Sequence, residues 1–159
     1  EFTVYALFSP QSLIAEGTAN YGIDMALPGD ERTEFERTTV FPLAGLPADA
    51  VDEYYAVQRW VRELSYAGNE AARRYLNGEI DADAAADWLE RYALAAPAAA
   101  KQRVRFFDTY RSYVVNYNVG QDLVRAYVER TAGPNASASD RWAVFADLLM
   151  TPRLPSALA

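Results

Sequence analysis

The chain contains neither cysteine nor histidine, and the second absence excludes more than the first. Without cysteine there are no disulfides, no thiolate nucleophile and no Cys-ligated metal. Without histidine, the usual general base near neutral pH and the commonest transition-metal ligand are both gone, so this chain alone builds neither a Ser-His-Asp triad nor an HExxH zinc site. Positive charge is scarce too, with 15 Lys and Arg against 22 Asp and Glu and a formal net charge of −7. No cluster of Lys and Arg could track a phosphate backbone, so nucleic acid is not the expected partner; a cationic or neutral one suits better. No run approaches the ~20 apolar residues of a transmembrane helix, and no membrane partner is expected.

What the chain has is apolar content: 51% of its 159 residues are hydrophobic, enough for a real core in a single domain over residues 1–159. Strand signals are nearly confined to Phe2–Phe8, which reads as a short extended lead-in. Ser9 then offers an N-cap and Pro10 an N1 residue for a first helix, running to about Leu27 and ended by Pro28-Gly29. Asp30 can cap a second helix with Phe35 and Val40, closed by the turn FPLAGLPADA. The pattern Val51, Tyr54, Tyr55, Trp60, Val61, Leu64 predicts a long helix from Ala48 to Leu76, which Gly68-Asn69 could interrupt. A shorter helix starts at Asp81 or Asp83. A second long one spans about Ala98 to Thr131, with Gly120 inside it where a close approach would need it, and Asp140 opens a last helix that Pro152 stops. The expectation is an all-α fold of about six helices, bundled around the two long ones.

Two places could carry chemistry. In the first helix, Glu16, Asn20 and Asp24 fall at every fourth position and share a face, while Gly17, Thr18 and Ala19 are small enough to admit another backbone. The plain account of that stripe is a solvated helix face. In the second long helix, Tyr110, Tyr113 and Tyr117 recur at helical spacing near Arg103, Asn116, Asn118 and Gln121. Such tyrosines are ordinarily core residues with their hydroxyls at the rim. Alternatively they form a row of donors aimed at a cleft, able to stabilise an oxyanion or grip a substrate carboxylate.

The phrases SPQSLIAEGTANYGI and YRSYVVNYNVGQDLVR resemble the C-terminal part of a large bacterial family of uncharacterised proteins related to predicted zinc metallopeptidases of the gluzincin type. In that type, as the resemblance implies, an HExxH-like helix supplies two His ligands and the catalytic Glu. A downstream helix with the pattern E-G-x-A-x-Y supplies the third ligand. Glu16, Gly17, Ala19 and Tyr21 fit that pattern, so the resemblance makes Glu16 the metal ligand, and zinc does accept a His₂Glu set. The family's Y-x-x-G falls on Tyr117 to Gly120, which makes Tyr117, with Tyr113 or Arg111 as competitors, the donor to a tetrahedral oxyanion. Asn20, Asn116 and Gln121 are then candidate substrate-binding side chains.

This chain departs from the pattern in lacking any histidine, so the HExxH half would have to lie outside it. The expectation is therefore the C-terminal helical portion of a longer zinc metallopeptidase, cut from its HExxH-bearing part, inactive and without tight zinc binding by itself, and prone to self-association. A peptide or small molecule would be the substrate of the whole protein. The alternative is a self-contained, non-catalytic α-helical binding module, whose surface should be polar all round. An enzyme working through carboxylates alone ranks last, because no carboxylate pair stands out.

Overall fold

The computed structural model describes residues 6–159, and the chain divides into two compact units, residues 1–26 with 115–159 and residues 27–114. Among the described residues there is no strand, and the fold is all-α. Most of the expected extended lead-in, Phe2 to Tyr5, lies outside the described residues, and Ala6–Phe8 form turn and coil.

The first unit contains α1 (Pro10–Ala26), α8 (Val115–Ala132) and α9 (Ala138–Met150), with a 3-10 turn at Pro155–Ala157. Ile14, Tyr21 and Met25 of α1 lie at helical spacing and meet Val124, Tyr127 and Val128 of α8 and Phe145 and Leu148 of α9 in one core, which Leu158 closes. Tyr21 packs edge-on against Phe145, with ring centroids 5.8 Å apart. Ser137 rather than Asp140 caps α9. Asp140 sits at N3, where its carboxylate accepts from the Ser137 main-chain N–H while the Ser137 hydroxyl accepts from its own N–H, a complete capping box. Ser9 does not use its hydroxyl to cap α1; its carbonyl accepts from the Ser12 N–H instead.

The second unit holds α2 (Asp30–Phe35), a π-helical turn (Glu36–Val40), α3 (Phe41–Leu43), α4 (Val51–Leu64), α5 (Tyr66–Leu76), α6 (Ala82–Tyr92), α7 (Pro97–Tyr110) and a 3-10 turn (Arg111–Val114). Alanines 71, 72, 85, 86 and 100 are all buried, so α5, α6 and α7 approach closely around Leu89, Val104 and Phe107. Asp81 caps α6 by accepting from the Ala84 N–H at 2.8 Å.

Both long helices are each two helices. The first breaks at Ser65, not at Gly68-Asn69, because the Ser65 hydroxyl and N–H both turn back onto the Arg62 carbonyl and tighten the turn. The second breaks at Arg111, whose φ of 52° and ψ of −129° end α7 in a conformation that glycine, not arginine, adopts without cost. Nothing in the local residue types announces that break.

Candidate functional site

Gly17 and Gly120 hold α1 and α8 in backbone contact. A Cβ placed on Gly17 would run into the Gly120 carbonyl, and one on Gly120 would sit 2.6 Å from the Leu13 carbonyl oxygen. Interior glycines lower helix propensity, and here the return is an interhelical approach that no larger residue allows. Glu16 directly precedes one of these glycines and Tyr117 lies one turn before the other, so both flank the crossing, and both are half-buried. Asn116 is buried beside Tyr117 in the chain.

The rest of the α1 stripe serves the packing. Asn20 donates through Nδ2 to the Glu16 main-chain oxygen at 2.8 Å, so its amide is held on its own helix. The Asp24 carboxylate accepts from Gln121 Nε2 at 3.1 Å and from Arg125 Nη2 at 3.0 Å, which ties the end of α1 to the middle of α8. Arg125 also lies over the Tyr21 ring at 5.7 Å and pairs with Asp122 at 3.4 Å. Burial, with Glu129 adding to it and Arg125 opposing, raises the Tyr21 hydroxyl above its ordinary pKa. This clamp was legible only in part. Asp24 and Gln121 each stood out as polar, but nothing in their own helices shows that they are partners across a long sequence separation.

Tyr113 and Arg111 belong to the second unit. The break at Arg111 puts Tyr110 on α7, Tyr113 on the 3-10 turn and Tyr117 on α8, so the three tyrosines do not share one helix face. Tyr113 is buried at 7% exposure, as the plain core account of these tyrosines expects, and its ring centroid stands 6.2 Å from that of Tyr110. Arg111 is exposed and lines a groove with Tyr75 and Asp108, where the Tyr75 hydroxyl donates to Asp108 Oδ1 at 2.7 Å. That hydrogen bond raises the Tyr75 pKa.

Among the described residues no three His, Cys, Asp or Glu side chains gather as a metal-binding group. Glu16 therefore contributes a single carboxylate, and these residues do not by themselves fit a catalytic zinc ion, which takes three protein ligands. No helix among them is long and apolar enough to cross a membrane. No family model matches the chain, and no curated protein and no solved structure matches it either.

Proposed function

We propose that this chain is the C-terminal helical portion of a zinc-metallopeptidase-type hydrolase, in which Glu16 is the chain's one ligand to the metal and Tyr117 the hydroxyl donor to the oxyanion. The two histidine ligands and the general base belong to an HExxH-bearing part outside these residues. One observation supports the reading above others: the two short phrases that carry the resemblance, far apart in sequence, meet through their own glycines. Gly17 of E-G-x-A-x-Y and Gly120 of Y-x-x-G are the crossing residues, and such a junction fixes the neighbouring Glu16 and Tyr117 backbones more tightly than side-chain packing would. Arg111 and Tyr113 are the weaker oxyanion candidates, since one is on an exposed turn and the other is buried. Asn20 and Gln121 hold packing contacts, which leaves Asn116 as the better substrate-binding candidate of the three.

The test is zinc content and peptidase activity of the protein expressed from its complete coding sequence, in the native form and as Glu16→Gln and Tyr117→Phe. Glu16→Gln should strip zinc; Tyr117→Phe should keep zinc and lower kcat about 10²-fold. Equal zinc occupancy in the native and Glu16→Gln proteins would sink the ligand assignment.

The exposed face of α4 weighs against the alternative, a self-contained non-catalytic binding module with a polar surface all round. Tyr54, Val57, Trp60 and Val61 are exposed along this helix, with Trp60 at 66%. Such a stripe is a surface for something to cover, and the self-contained version with polar surface all round does not describe it. Concentration-dependent association of the 159-residue chain in sedimentation, abolished by Trp60→Gln with Val61→Gln, is the outcome the hydrolase-portion reading expects, and a chain that stays monomeric favours the self-contained module.

A further inference from the structure

The second unit has a groove of about 410 Å³ walled by Tyr75, Leu76, Ile80, Asp81, Asp108 and Arg111, a size that suits a small molecule. Leu76 and Ile80 give it an apolar wall, and the ends of α5 and α7 bring polar groups of both charge signs to it. Asp108 and Arg111 are exposed and Tyr75 is half-buried, so a molecule in the groove can reach all three. They also lie together. The Tyr75 hydroxyl donates to Asp108 Oδ1 at 2.7 Å, and Arg111 is close enough for its charge to act on that hydroxyl. Asp81 uses one carboxylate oxygen to cap α6. The fold itself has little use for an arginine at position 111. Its φ of 52° is costly for any residue but glycine, and strain of this kind persists where a site needs the side chain. Nor does the guanidinium offset that cost within the chain: among the described residues it makes no ion pair or hydrogen bond, even with Asp108 three positions before it.

We propose that this groove binds a free α-amino acid with an apolar side chain, its carboxylate accepting from the Arg111 guanidinium, its ammonium donating to Asp108, and its side chain lying against Leu76 and Ile80. Two opposite charges that share a groove without closing on each other select a ligand that carries both. A lone anion would meet Asp108 and a lone cation would meet Arg111, and either mismatch works against binding. Guanidinium with carboxylate and ammonium with carboxylate are both charge-assisted pairs, the stronger kind of hydrogen bond. Tyr75 is the positioning residue, since its hydroxyl holds one Asp108 oxygen and leaves the other to the ligand. The proposal does not rest on the zinc reading, and it gives Arg111 a different task from donating to an oxyanion.

The experiment is a heteronuclear NMR titration of the full chain with leucine, phenylalanine, 4-methylpentanoate, which is leucine without its ammonium, and 3-methylbutylamine, which is leucine without its carboxylate. Shifts should centre on the Gly78, Asp108 and Arg111 amides, with at least one amino acid binding about tenfold more tightly than either analogue. Arg111→Gly should weaken amino-acid binding about tenfold while raising the ligand-free Tm, because it removes the cation and relieves the backbone together. A side chain that merely held the turn would lower the Tm on removal. Asp108→Asn keeps an oxygen for the Tyr75 hydroxyl and removes only the charge. It should weaken amino-acid binding about tenfold and leave 4-methylpentanoate binding unchanged or tighter. The proposal is overturned if neither amino acid shifts these amides, if either analogue binds as tightly as the better amino acid, or if either variant leaves amino-acid binding intact.

Discussion

The α1–α8 pair and α4 are both helices with an apolar side, and they use it in opposite ways. In the pair, glycines bring two backbones together and the surrounding side chains fill one core. On α4 only Val51 is buried; Tyr55 is half-buried, and Tyr54, Val57, Trp60 and Val61 stay exposed. Apolar periodicity thus says that a helix has a face to cover. The small residues on that face say whether another helix of the same chain comes close enough to cover it.

The sharpest way to break this comparison is to put a methyl group into the crossing. Gly17→Ala or Gly120→Ala must push the helices apart against backbone atoms that cannot move aside, so each should cost about 2–4 kcal/mol in urea unfolding, despite the better helix propensity of alanine. Gly68→Ala is the matched control: a Cβ there meets nothing within 4 Å, and stability should rise by up to ~1 kcal/mol. Equal signs at the two kinds of glycine would mean that α1 and α8 are not in backbone contact. A smaller loss, about 1–2 kcal/mol, is expected for Asp24→Ala, which leaves Gln121 and Arg125 without their shared acceptor in a half-exposed setting. Its effect should be non-additive with Arg125→Ala, as for any two partners of one network.

The same contrast decides what was readable beforehand. The all-α class and the ends of most helices were legible because they depend on local signals: Pro10 at N1, Pro28-Gly29 at a stop, Pro152 beyond α9. The value of Gly120 inside a helix was also legible, since a costly residue needs a close neighbour to justify it. The break at Arg111 was not. Its left-handed φ falls on a residue type that disfavours it, and a reading by spacing therefore ran one helix through Tyr110, Tyr113 and Tyr117. The Asp24 clamp was hidden for another reason, because the pairing of α1 with α8 exists only after the chain has folded back.

Arg111 itself gives a third prediction, smaller than the first two and opposite in sign. Arg111→Gly should raise stability by about 0.5–1 kcal/mol, relief of the strained backbone outweighing the extra freedom of glycine in the unfolded chain. Loss of stability instead would show that the arginine side chain holds the turn through contacts worth more than the strain.

The smallest effect compares the acid behaviour of the two units. In the first, hydrogen bonds from the Ser137 hydroxyl and N–H hold the Asp140 pKa below the usual carboxylate value. In the second, hydrogen bonds from Arg73 do the same for Glu70 and Glu79, within an exposed cluster of ion pairs. The sign is common to both: a depressed folded pKa contributes stability that is fully present above the unfolded value and is lost as pH falls through the folded one. Both contributions should therefore be flat from pH 7 down to about 5 and fade below about 4. Salt separates them, because exposed ion pairs are screened over a Debye length of ~10 Å at 0.1 M and ~3 Å at 1 M, while the capping hydrogen bonds are local. Acid titrations followed by ellipticity should show Asp140→Asn shrinking the acid-dependent loss equally at low and high salt. Arg73→Ala should shrink it at low salt and change little at 1 M. A salt-independent effect of Arg73→Ala would mean that the second unit, too, is held there by fixed hydrogen-bond geometry and not by charge.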